Sequence, residues 1–154
     1  MIEQDTAAEL LNALRLVSIK GRHFREAAVR LLSQLPGYDW SGIYRLEGDH
    51  LLLDAFVGEP TEHTKIPVGV GVCGTAVAED RDVVVTDVRT VENYLSCSAF
   101  TRSEIVVLIR NGNTVLGQID VDGHLPNQFD ETDRAFLEEM AQIIAQHWED
   151  RGSA

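Results

Sequence analysis

Two turn signals in the middle of the chain constrain its fold more than any other feature. Asn111-Gly112 stands between the apolar runs Ile105 to Ile109 and Val115 to Val121. Gly48-Asp49 stands between alternating Trp40 to Leu46 and apolar Leu51 to Val57. Short segments of this kind, joined by two residues that accept a positive φ, close as antiparallel hairpins. Pairing also fixes side-chain direction, because residues two apart on a strand face the same way. Asp120 and Asp122 therefore share one face of the second hairpin, with Glu104 at the start of the strand opposite, and Trp40 and Tyr44 share one face of the first.

Helical periodicity brackets the hairpins. Leu10, Leu11, Leu14 and Val17, then Phe24, Ala27, Ala28, Leu31, Leu32 and Leu35 beyond Lys20-Gly21, predict two helices within about residues 3–35, stopped by Pro36-Gly37. Asp130 and Asp133 open a last helix over about 130–149, with Phe136, Leu137, Met140, Ile143, Ile144 and His147 as its apolar stripe. Between the hairpins, 58–71 reads as loop, Cys73 to Glu79 as a short helix and Val83 to Thr86 as a strand, before an irregular stretch from Asp87 to Ser103. Irregular segments beyond about 12 to 15 residues are uncommon in compact domains and are often functional. The whole predicts one α+β domain over 1–154, with a central antiparallel sheet and pocket over about 38–122 flanked by helices.

Composition narrows the function. Thirteen basic against twenty-five acidic residues leave a net charge of −12, which opposes binding to nucleic acid and to anionic membrane surfaces. Glu3, Asp5, Glu9 and Arg15 interrupt the first twenty residues, so neither a signal-peptide core nor a spanning segment is expected, and a cytoplasmic location is. Two cysteines in a reducing compartment seldom form a structural disulfide; they are inert core thiols, metal ligands or redox groups, the first being commonest. A zinc centre built from His63, Cys73 and Cys97 lacks paired short spacings, so no metal and no cofactor is expected.

Four segments resemble the GAF family in order and spacing: Asp39-Trp40-Ser41-Gly42-Ile43-Tyr44, Gly71-Val72-Cys73-Gly74-Thr75-Ala76, Thr101-Arg102-Ser103-Glu104-Ile105-Val106-Val107 and Gly117-Gln118-Ile119-Asp120-Val121-Asp122. The similarity runs from about Leu31 to the end of the chain. Within that family the chain is similar to the free methionine-(R)-sulfoxide reductases, because Cys97 follows the Gly-Val-Cys-Gly-Thr turn by 24 positions. Three-cysteine members carry another cysteine ten positions before Cys73; His63 stands there, so the chain resembles the two-cysteine type. The resemblance implies a GAF fold, reduction of the free R-sulfoxide to methionine, and a thioredoxin-like dithiol protein as reductant.

The chemistry such a reaction needs is general. A thiolate attacks the sulfoxide sulfur while an acid protonates the departing oxygen, and a second thiol converts the resulting sulfenic acid to a disulfide. Cys97, between Ser96 and Ser98 and shortly before Arg102, has the polar and cationic surroundings that favour a nucleophilic thiolate. The alternative is a bystander loop thiol. Cys73, at a helix start whose N–H groups favour an anion, suits the resolving thiol, or else is a small residue packed beneath a turn. Glu104, Asp120 and Asp122 supply a proton donor and an anionic grip on a substrate ammonium group, or form a solvated sheet face. By analogy to the family, Trp40 and Tyr44 wall a slot for the thioether methyl, with the Tyr44 hydroxyl available to donate, and Phe100 is a lid residue. The competing class is a non-enzymatic GAF sensor that binds a small ligand, with the last helix as the contact of a homodimer.

Overall fold

The computed structural model describes residues 1–91, 94 and 100–149. Helix α1 (Gln4–Arg15) and helix α2 (Gly21–Leu32) precede strands β1 (Trp40–Glu47), β2 (His50–Val57) and β3 (Lys65–Pro67). Helix α3 (Gly71–Glu79), strand β4 (Val83–Val85) and a single 3-10 turn (Val88–Thr90) follow. Strands β5 (Ser103–Asn111) and β6 (Thr114–Gly123) and helix α4 (Glu131–Gln146) complete the order. Among the described residues six strands form one antiparallel sheet in the order β3-β2-β1-β6-β5-β4, so the two hairpins meet along β1 and β6 at its centre.

Both faces of this sheet are covered, which is why Ile105 to Ile109 reads as an unbroken apolar run. On one face Ile43, Ile105, Val107, Ile109, Ile119 and Val121 pack with Leu14, Phe24, Leu32, Leu137, Met140 and Ile144 of α1, α2 and α4. Each such buried aliphatic or aromatic side chain contributes about 1.5–3 kcal/mol. The expected stripe of α4 from Phe136 to Ile144 lies in this core, whereas the helix ends at Gln146 and His147 is its half-buried C-cap, stacked on Phe24. On the other face Trp40, Tyr44, Val106 and Leu108 meet Val72, Cys73 and Ala76 of α3, together with Ile66 and Val85. The acids leave β5 and β6 on this second face.

The α4 N-terminus is fixed as its sequence predicts. The Asp130 carboxylate accepts from the N–H groups of Thr132 and Asp133, while Asp133 Oδ2 accepts from the Asp130 N–H at 2.9 Å. Three details differ from expectation. Strand β3 lies within the 58–71 stretch that reads as loop, because three edge residues ending in proline carry no periodicity. The second hairpin turns on Gly112 and Asn113, with Asn111 paired to Thr114, one residue later than the Asn-Gly signal. The 87–103 stretch contains the 3-10 turn, capped by the Asp87 carboxylate, which accepts from the Arg89 N–H.

Candidate active site

Strand alternation delivers the carboxyl groups to one place. Gln118, Asp120 and Asp122 leave β6 toward α3, and the register sets Glu104 and Trp40 on either side of Asp122 and Gly42 beside Asp120. Glu104 is 1% exposed and Asp120 and Asp122 are 0% exposed, so the acids are an internal cluster and not a solvated sheet face. Buried carboxyls in contact are costly for folding, and packing alone gives no reason for three of them. Burial, and after it the charge of Asp120, hold the Asp122 carboxyl well above the ordinary carboxylate range, while hydrogen bonds with Glu104 and Thr101 pull the other way.

Helix α3 brings the thiol onto this floor. Cys73 is its third residue, buried, with Sγ 3.7 Å from Glu104 Oε2. The thiol sulfur and one oxygen each of Glu104 and Asp120 all lie within 4.8 Å of one another. The approach depends on Gly74, where a Cβ would sit 2.4 Å from the Pro67 carbonyl oxygen. Gln118 Nε2 donates to the Cys73 carbonyl at 3.1 Å and anchors the first turn of α3 to β6.

Trp40 and Tyr44 are both buried on the same face as the acids. The indole lies across its own strand over Gly42, where a Cβ would come within 2.3 Å of Cη2, and its Nε1 donates to the Glu59 carbonyl at 2.9 Å. Gly42→Ala should therefore displace the ring, costing about 1–3 kcal/mol by overpacking. A lowered denaturant midpoint with red-shifted tryptophan emission checks this, and an unchanged midpoint would mean that the indole yields freely. One expectation is corrected: the Tyr44 hydroxyl is committed, donating to the His63 carbonyl at 2.8 Å. It ties the segment before β3 to the sheet.

Of the other expected site residues, Phe100 is 65% exposed, with its ring edge-on to His124 at 6.0 Å. Cys97 lies outside the described residues. Two residues without an assigned role in the sequence reading join the cluster: Gln118, and Thr101, whose Oγ1 donates to Asp122 Oδ2 at 3.4 Å. The signal for Gln118 was present, since it shares parity with Asp120 and Asp122. Two surface cavities of about 430 Å³ are lined by other residues, one around Asp82, Arg110 and Glu138, the other around Thr75, Arg81 and Val91. Among the described residues no helix is long and apolar enough to cross a membrane.

Comparison with known proteins agrees with this architecture. The GAF domain family matches residues 24–148. A free methionine-R-sulfoxide reductase of Escherichia coli is 36% identical over 75% of this chain and 68% of its own. The solved type II free methionine-R-sulfoxide reductase of Thermoplasma acidophilum is 37% identical, with a TM-score of 0.78 over 89% of this chain and 93% of that one. The Staphylococcus aureus enzyme in complex with substrate is 33% identical, with a TM-score of 0.85 over 97% and 99%. A buried thiol held beside the carboxyls of Glu104 and Asp120, on the sheet face that also carries Trp40 and Tyr44, thus occurs in a chain that belongs to the GAF domain family and, within it, to the free methionine-R-sulfoxide reductases.

Proposed function

We propose that this protein reduces free methionine-(R)-sulfoxide to methionine, with Cys97 as nucleophile and Cys73 as resolving thiol. The observation that carries the reading is the thiol-carboxyl cluster: Cys73 Sγ at 3.7 Å from Glu104, on a buried floor shared with Asp120 and Asp122. A buried anionic floor suits the ammonium group of a free amino acid, whereas a phosphate-bearing ligand would be repelled. Asp122, held toward its protonated form, is suited to protonate the departing oxygen.

The Cys97 thiolate attacks the sulfoxide sulfur, the oxygen takes a proton from the acid cluster, and oxygen passes to Cys97 as methionine leaves. The products are methionine and a Cys97 sulfenic acid. The Cys73 thiol then attacks the sulfenic sulfur and water leaves, which forms a Cys73–Cys97 disulfide. A thioredoxin-like dithiol exchanges with that disulfide and returns both thiols. This cycle needs a reducing compartment, which fits a cytoplasmic location.

The test is NADPH consumption coupled through thioredoxin and its reductase, with the free R epimer, the free S epimer and a peptide-bound sulfoxide as substrates. Turnover of the free R epimer alone is expected, and binding without turnover would return the chain to the sensor class. A second expected outcome concerns resolution. One equivalent of the sulfoxide without reductant should yield one methionine per chain and a Cys73–Cys97 disulfide detectable by peptide mass mapping. The bond needs Cα atoms within about 4.4–6.8 Å. A lasting sulfenic acid on Cys97 with Cys73 still reduced would remove Cys73 from the cycle.

A further inference from the structure

The Cys73 cluster has the donor set of a metal site. It offers one thiol sulfur and two carboxyl oxygens, mutually within 4.8 Å, each on a different element: α3, β5 and β6. A tetrahedral zinc-class ion spans such a set at metal-ligand distances of about 2.0–2.3 Å with small side-chain adjustments and leaves a fourth position open. A soft sulfur donor disfavours magnesium and calcium, which take oxygen ligands, and favours zinc or cadmium.

Two buried groups beside the cluster point to a ligand independently of it. Asp122 stands opposite Glu104 in the β5–β6 register, and its Oδ1 has no hydrogen-bond partner among the described residues. The Oε1 of Gln118, whose amide nitrogen is bonded to the Cys73 carbonyl, is likewise buried without a partner among them. Buried polar atoms in this state are rare in native proteins and ask for an unseen partner such as a water or an ion. The net charge of −12 raises the local concentration of cations.

We propose that Cys73, Glu104 and Asp120 bind a thiophilic divalent cation of the zinc and cadmium class when the chain is reduced, with Asp122 as the adjoining oxygen donor. Binding displaces the Cys73 thiol proton and sets a positive charge beside the buried carboxyls. The ion also occupies the place of the substrate ammonium group, and this second statement rests on the function proposed above. Zinc-class ions then act as reversible inhibitors that compete with the sulfoxide.

The test uses the 154-residue chain reduced with a phosphine, titrated with Zn²⁺ against a chromophoric chelator and with Cd²⁺ by ultraviolet thiolate-to-metal absorption. One ion per chain and a sulfur-to-cadmium band are expected. Cys97→Ser should keep both, because its only thiol is Cys73. Cys73→Ser, Cys73→Ala and Asp120→Asn should each weaken binding by about ten-fold or more, with far-ultraviolet circular dichroism unchanged. Binding that survives both Cys73 variants, or that disappears in Cys97→Ser, would overturn the site. The substrate arm is separate: in Cys97→Ser, saturating methionine sulfoxide should raise the apparent Kd for Zn²⁺. Zinc binding that ignores the sulfoxide would leave the metal site standing and overturn the shared ammonium position.

Discussion

Cys97→Ser is expected to lower the thioredoxin-coupled turnover of free methionine sulfoxide by about a thousandfold or more, while leaving the fold in place. The size of the effect follows from the nucleophile. A serine hydroxyl is hardly ionised near neutrality and is a poor attacking group toward sulfoxide sulfur, whereas a thiolate is both more available and more polarisable. Sulfoxide binding should persist in the variant, since the carboxyl cluster and the aromatic wall are untouched. Equilibrium binding separates the two effects. Retention of activity within about twofold of wild type would exclude Cys97 from the chemistry.

Asp122→Asn should move activity and stability in opposite directions. Loss of the proton donor or of an ammonium contact should lower kcat/KM by about ten-fold or more. Stability at neutral pH should rise, because a neutral amide removes the cost of a buried carboxyl pressed against Asp120. The sign follows from proton binding. The folded carboxyl is held above the unfolded value of about 3.9, so above that value the folded state retains protons that the unfolded state has released. Wild-type stability therefore declines as pH climbs from about 4 toward the raised folded value. The advantage of the asparagine variant should be small near pH 4 and grow toward neutrality. Denaturant midpoints across that range measure it, and an advantage that shrinks with rising pH would contradict the assignment. Glu104→Gln and Asp120→Asn should lose activity similarly; wild-type kcat/KM in all three variants would mean that the acids only pack.

Much of this was legible in the chain because hairpins obey a period of two. Parity put Asp120 and Asp122 on one face, and turn residues located both hairpins to within a residue; Glu104 joins that face because a bulge between Ile109 and Arg110 shifts the register to pair it with Asp122, and that bulge has no sequence signature. Helix patterning located α1, α2 and α4, and Asp130 with Asp133 marked the cap. What parity cannot supply is contact between distant segments. Cys73 meets Glu104 across 31 positions because α3 folds back over the sheet, and that packing rests on the space left at Gly74. Strand β3 was hidden because three edge residues are too few to show a period. The commitment of the Tyr44 hydroxyl to the His63 carbonyl was hidden because its partner is backbone, which has no sequence signature.

The two covered faces of the sheet have a consequence for how such a chain can change length in evolution. Along β6 the core residues Ile119 and Val121 alternate with Gln118, Asp120 and Asp122. Deleting or inserting a single residue within 115–122 would rotate the rest of the strand by half a turn, sending carboxylates under the helices and isoleucine into the acid cluster. Two-residue changes would preserve parity but shift the partner of every acid. At the hairpin tips, 48–49 and 112–113, the residues are exposed and the strands are already joined in register, so added residues there leave the alternation intact. Length variation in descendants of this chain should therefore accumulate at those tips, and β6 should tolerate substitution long before it tolerates a gap.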